Sequence, residues 1–140
     1  MTMGAERDAA RVARAMVERP RVIVDFEVIE ESLVLVVRNI GARPAGRVRI
    51  RFAPTFRGLG GSVEVPRLTL FRRLSFLAPG RSIEVLVDPL QAYLGRCEPE
   101  EPRRIRVTIV YRDGAGRRYR TRIGHDLSIW EDLARPRRSG

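Results

Sequence analysis

Arg104-Ile105-Arg106-Val107-Thr108-Ile109-Val110-Tyr111, then Asp113-Gly114-Ala115-Gly116, then Arg118-Tyr119-Arg120-Thr121-Arg122-Ile123, is two period-two runs joined by a glycine-rich loop. Alternation of this kind sends one set of side chains to each face of a strand, and an Asp-Gly loop between two such runs reads as a hairpin. Ile105, Val107, Ile109, Tyr119, Thr121 and Ile123 then face a core, and the arginines between them face outward.

The same pattern extends upstream. Val22, Val24, Phe26 and Val28 alternate with Ile23, Asp25 and Glu27, and Val48, Ile50 and Phe52 alternate with Arg47, Arg49 and Arg51. Leu33 to Arg38 is almost continuously apolar, the pattern of a strand at a sheet centre or covered on both faces. Ile83, Val85 and Val87 form another strand after the Ala78-Pro79-Gly80 turn, Thr69 to Phe76 is read as a strand, and Ser62 to Val65 as a short edge strand. Helices are few. Ala5 to Arg19 places Ala9, Val12, Ala13, Met16 and Val17 on one face and stops at Pro20. Asp88-Pro89-Leu90-Gln91 reads as a capped helix start running one or two turns to Gly95, and Ser128-Ile129-Trp130-Glu131 as a second capping box that opens a short C-terminal helix. Seven or eight short strands joined by turns predict an all-β fold, an immunoglobulin-like two-sheet antiparallel sandwich over 21–134. An amphipathic helix precedes it over 1–20, and a basic disordered tail over 135–140 follows.

The length of 140 residues suits one domain. No apolar run reaches the roughly 18 residues of a membrane span and no signal-peptide core follows the first residues, so the expected location is cytoplasmic. One cysteine excludes an internal disulfide, and one cysteine with one histidine excludes the usual zinc ligand sets. No cofactor is expected. Twenty-seven basic residues face 17 acidic ones, for a net charge of +10, and every basic residue is arginine. Asn39 and Gln91 are the only side-chain amides. A GC-rich coding sequence or a heat-loving source explains that usage, and so does an anionic partner, because the guanidinium fork matches phosphate and carboxylate.

Catalytic signatures are missing. His125 is followed directly by Asp126, but a triad is assembled through space and adjacency says little. Cys97 borders the acidic stretch Glu98, Glu100 and Glu101, which raises rather than lowers a thiol pKa and has no regular calcium-ligand spacing. Gly58-Leu59-Gly60-Gly61 lacks the Gly-Lys-Ser/Thr of a phosphate loop and reads as a flexible loop.

Two segments carry a family likeness. Leu35-Val36-Val37-Arg38-Asn39-Ile40-Gly41-Ala42-Arg43-Pro44-Ala45-Gly46-Arg47-Val48 resembles the strand, Asn-x-Gly, strand signature of bacterial CARDB-type immunoglobulin-like domains. Phe76-Leu77-Ala78-Pro79-Gly80-Arg81-Ser82-Ile83 resembles their Leu-x-Pro-Gly turn. The end of the chain, Tyr111 to Tyr119 and then Asp126-Leu127, departs from that family and is similar to bacterial immunoglobulin-like domains found beside other modules. The resemblance spans Leu33 to Val87 and implies a fold and an interaction role, with no catalytic residue to transfer.

In such a sandwich the third, sixth and seventh strands are neighbours. That arrangement would gather Arg47, Arg49, Arg51, Arg104, Arg106, Arg118, Arg120 and Arg122 on one outer surface, with Asp25, Glu27 and Glu84 on the opposite one. A solvated face in an arginine-only sequence is the plainest account of it. Among functional readings, the favoured one is a non-catalytic module binding a protein partner, with the N-terminal helix as a second contact. An acidic partner surface, including that of a second copy of the chain, would satisfy the same charges. The second is sequence-independent binding of nucleic acid or another polyanion on the arginine platform.

Overall fold

The computed structural model describes residues 18–96 and 102–134. The expected N-terminal helix falls outside them except for Glu18 and Arg19, which form a bend; Cys97, the acidic stretch after it and the basic tail also fall outside.

The hairpin that decides the fold class is present as the last two of the strands β1 (Val22–Ile29), β2 (Ser32–Asn39), β3 (Ala45–Ala53), β4 (Arg57–Gly58), β5 (Val63–Glu64), β6 (Leu74–Leu77), β7 (Ser82–Pro89), β8 (Arg104–Arg112) and β9 (Arg118–Asp126). The protein is mostly β and its ladders are antiparallel. One sheet has the order β1-β2-β7, the second β6-β3-β8-β9, and β4 pairs only with β5. The inner faces of the two larger sheets share one core, in which Val24, Phe26, Leu35 and Val87 from the first meet Val48, Ile50, Val107 and Ile109 from the second. β2 is the central strand of its sheet, and Leu33 through Val37 are all buried, as the unbroken apolar run requires. On its outer side Val36 lies between Asp25 and Glu84, and Arg38 reaches across to Ser82 (2.9 Å) and Glu27 (3.6 Å).

Three local expectations give way to tertiary packing. Thr69 to Phe76 is not one strand: a 3-10 turn at Val65–Arg67 leads into a helical turn α1 at Thr69–Arg72, and only Leu74–Leu77 extends. Val65, Leu68 and Phe71 recur every third residue on the inward side, and Phe71 joins an edge-to-face chain with Phe52 (4.9 Å) that continues to Phe56 and Phe26. The helix α2, Leu90–Gly95, ends where the sequence places it, but Asp88 does not cap it. That carboxylate turns inward, fully buried, to pair with Arg96 at 2.5 Å and accept from the Gly60 N–H at 3.3 Å. At the C-terminal end Asp126, not Ser128, is the cap: it accepts from the Ser128 N–H (3.0 Å) and hydroxyl (2.6 Å) at the head of a 3-10 turn Leu127–Trp130 and helical turn α3, Glu131–Ala134.

The Gly58–Gly61 segment is pinned, not loose. It closes the β4–β5 hairpin, Leu59 N–H donates to the Val87 carbonyl at 2.7 Å, and a Cβ on Gly58 would stand 2.3 Å from that same oxygen.

Candidate arginine face

β3, β8 and β9 are neighbours in one sheet, so their outward positions form cross-strand rows. Val110 lies between Arg49 and Arg120, and Thr108 between Arg51 and Arg122. In the next row the pattern inverts, with Arg106 at the centre and Ala53 and Gly124 beside it. Neighbouring strands are about 4.8 Å apart and outward residues about 6.7 Å apart along a strand. Two short side chains thus floor a trough about 10 Å wide, walled by two arginines on each side and closed by Arg106. It forms a cleft of about 810 Å³ in which Arg49, Arg51, Arg106, Arg120 and Arg122 line the wall. Val110 on the floor is 37% exposed, an open apolar patch between cations.

The remaining predicted arginines sit around this trough. Arg118 pairs across from Arg112 at one end, and Arg104 pairs across from Asp126 at the other. Arg47 leaves the ladder. Gly46 opposes Arg112 and Arg49 opposes Val110, so two residues of β3, Arg47 and Val48, stand against Tyr111 alone. This is a β-bulge, with Arg47 at φ 49°, and it restores Val48 to the core side. Strict alternation from Arg47 does not anticipate it.

Two contributors were not among the sequence candidates. Arg112 belongs to the same face through its pairing with Gly46 and Arg118. Phe76, on β6, stands opposite Gly46 in the same row and is 57% exposed. The strand reading of Thr69 to Phe76 held no register, so it gave no means of putting Phe76 on the arginine side.

Among the described residues the five arginines that line the trough have no acidic partner. Ion pairs among the described residues join Arg38 to Glu27, Arg67 to Glu64, Arg96 to Asp88 and Arg103 to Glu131. Among the described residues, Arg104 alone on the arginine face meets a carboxylate, Asp126 at 3.8 Å, and both are solvent-accessible. Cations about 10 Å apart repel by about 0.4 kcal/mol per pair in water, so several such pairs favour an anion in the trough. The outer face of the other sheet carries Asp25, Glu27 and Glu84, partly offset by Arg38.

His125 has a structural tie. Its Nε2–H donates to the Val24 carbonyl at 2.8 Å and its ring meets Phe26 edge-on at 5.1 Å, joining the edge strands β9 and β1. Beside it a cleft of about 530 Å³ is lined by Glu27, Ile29, Asp126, Ile129 and Trp130. Among the described residues no group of three or more His, Cys, Asp or Glu side chains is placed to hold a metal ion, and no helix is long and apolar enough to cross a membrane.

Comparison with known proteins adds one match. The model of the family described as a domain of unknown function (DUF8453) matches residues 2–131. No curated protein and no solved structure matches the chain. With the matched span covering every strand from β1 to β9, the chain belongs to the DUF8453 family.

Proposed function

We propose that this chain is a non-catalytic binding module of immunoglobulin-like, CARDB-type sandwich architecture whose working surface is the arginine trough over β8, and that it holds an anionic polymer by its backbone charge without reading sequence. The observation that carries this is the two-sided wall of arginines, unpaired among the described residues, around the short floor of Thr108 and Val110. Arginine forks on opposite walls reach a chain of phosphates lying along β8 from both sides, and among the described residues no helix lies on this face to serve major-groove readout. Support for the kinship comes from the β1-β2-β7 and β6-β3-β8-β9 sheets and from the meeting of the two resembling segments at Asn39.

The test is a Arg49→Gln, Arg106→Gln and Arg120→Gln triple variant against random-sequence duplex DNA by fluorescence anisotropy at about 0.15 M salt. All three side chains are exposed, so the fold is retained. Loss of binding is expected; undiminished binding would overturn the reading. A second reading, a protein partner, is favoured by a different surface: Ile129, which lines the cleft at His125, is 67% exposed, and Leu133 in the helical turn that follows is 62% exposed. A contact there would survive the triple substitution.

A further inference from the structure

We infer that the polymer this face takes is single-stranded nucleic acid, with Phe76 stacking an unpaired base where the strand leaves the trough. The inference rests on the binding reading above and adds to it the strandedness of the ligand. It follows from the row Phe76–Gly46–Arg112–Arg118, which crosses the whole four-stranded sheet at one end of the arginine walls. Phe76 is the one aromatic ring on this face among the described residues, and it is 57% exposed, whereas Phe26, Phe56 and Phe71 are buried. An exposed ring on an edge strand has no packing role that requires it, and sequence-tolerant single-strand binders combine a cationic groove with such a ring.

Gly46 makes the ring usable. A Cβ at that position would meet only the Ser75 and Arg112 carbonyl oxygens at 3.7 and 3.8 Å, ordinary contact distances, and its φ is not in the left-handed region. Neither packing nor backbone geometry therefore demands glycine. Its bareness leaves a slot one strand wide between Phe76 and Arg112. A base can lie against the ring there while Arg112 and Arg118 hold the neighbouring phosphate. The next row, with Arg49 and Arg120, lies about 6.7 Å further along, so consecutive phosphates pass from the slot into the trough. A base inside a duplex is already stacked and cannot enter the slot without being unpaired.

The experiment compares a 12-nucleotide random RNA with a random DNA duplex by anisotropy at fixed salt, for the wild type, Phe76→Ala, Phe76→Trp and Gly46→Leu. Expected is tighter binding of the single strand by the wild type. Phe76→Ala should weaken RNA binding about 5- to 150-fold, the range for loss of one base–aromatic stack, with duplex binding unchanged. Phe76→Trp should retain it, and Gly46→Leu, which fills the slot, should weaken it as the alanine does. In parallel, 4-thiouridine RNA irradiated on the wild type should crosslink the tryptic peptide Leu74–Arg81. If RNA binds but Phe76→Ala and Gly46→Leu leave its affinity unchanged, the stacking inference is overturned while the arginine trough stands. If neither RNA nor duplex binds at physiological salt, both are overturned, and an acidic protein surface becomes the partner to test. Charge-matched polyglutamate that competes as well as RNA overturns the choice of a nucleic acid.

Discussion

At the residue scale the side chain that organises the most structure is Asn39. It is fully buried at the end of β2, and its Oδ1 accepts from the Arg21 and Gly41 N–H groups at 3.1 and 3.0 Å. Its Nδ2 donates to the Arg43 and Leu77 carbonyls at 2.8 and 3.1 Å, and its own carbonyl accepts from Gly80 at 2.8 Å. The side-chain amide thereby joins the start of β1, the loop before β3 and the end of β6, and the main-chain carbonyl adds the Pro79-Gly80 turn. Gly41 is equally constrained, since a Cβ there would fall 2.1 Å from the Arg19 carbonyl oxygen. The Asn-x-Gly and Leu-x-Pro-Gly segments were visible in the sequence as separate signatures. That they serve one hydrogen-bond hub was not, because Leu77 lies 38 residues from Asn39 and Gly80 lies further still. Asn39→Ala leaves two donors and two acceptors without their partner, and at about 1 kcal/mol for each bond it should lower stability by about 3–5 kcal/mol in urea unfolding. Asn39→Asp should fare no better, because it turns an oxygen toward the two carbonyls.

At the element scale the β8–β9 hairpin shows how a turn is locked. Asp113 accepts from the Ala115 and Arg117 N–H groups and from the Tyr119 hydroxyl, each at 2.9 Å, and Tyr119 stacks on Tyr111 at 5.5 Å. Burial pushes the Asp113 carboxyl up, but the three hydrogen bonds outweigh it and hold the group below its ordinary value. Burial first, and then the same Asp113 contact, raise the Tyr119 phenol. Asp126 is also lowered, by the Ser128 hydroxyl first and then its amide. A carboxylate with a depressed folded pKa contributes stability that is present above the unfolded value near 3.9 and is lost as pH falls through the folded one. Urea midpoints should therefore drop below about pH 4, and Asp113→Asn should show lower stability at pH 7 with a shallower acid decline. A decline as steep as that of the wild type would remove Asp113 from the account. The strands of this hairpin were legible because period two and an Asp-Gly loop are local signals. The Val65–Phe71 segment was not, although its period of three was present, because burial of Phe71 against Phe52 decides it. The two helix starts failed for a related reason: Asp88 is worth more paired to Arg96 in the interior than at an exposed cap, and Asp126 reaches the Ser128 amide before Ser128 can act.

At the scale of the whole molecule the arginines divide into two populations that composition alone does not separate. Arg38, Arg67, Arg96, Arg103 and Arg104 pair with acids. Arg49, Arg51, Arg106, Arg120 and Arg122 line one trough without a carboxylate among the described residues. The sequence contained the three alternating runs, and the expected adjacency of three strands was enough to collect most of the face. It could not supply the bulge that removes Arg47, or the β6 register that adds Phe76. β9 is also an edge strand, where outward charges discourage pairing with another chain, so Arg118, Arg120 and Arg122 have a folding role beside any binding role. With a net charge of +10, two copies repel one another as a whole, which turns the arginine face toward a foreign anion before a second copy of the chain. The central claim is that the five lining arginines neutralise backbone phosphates, and the most direct measurement is the salt dependence of duplex DNA affinity from about 0.05 to 0.2 M. Five phosphates at about 0.9 each predict a log–log slope of about −4.5 for the wild type, falling by about 2.7 in the triple arginine variant. A slope near zero, or one the triple substitution does not change, would contradict the account.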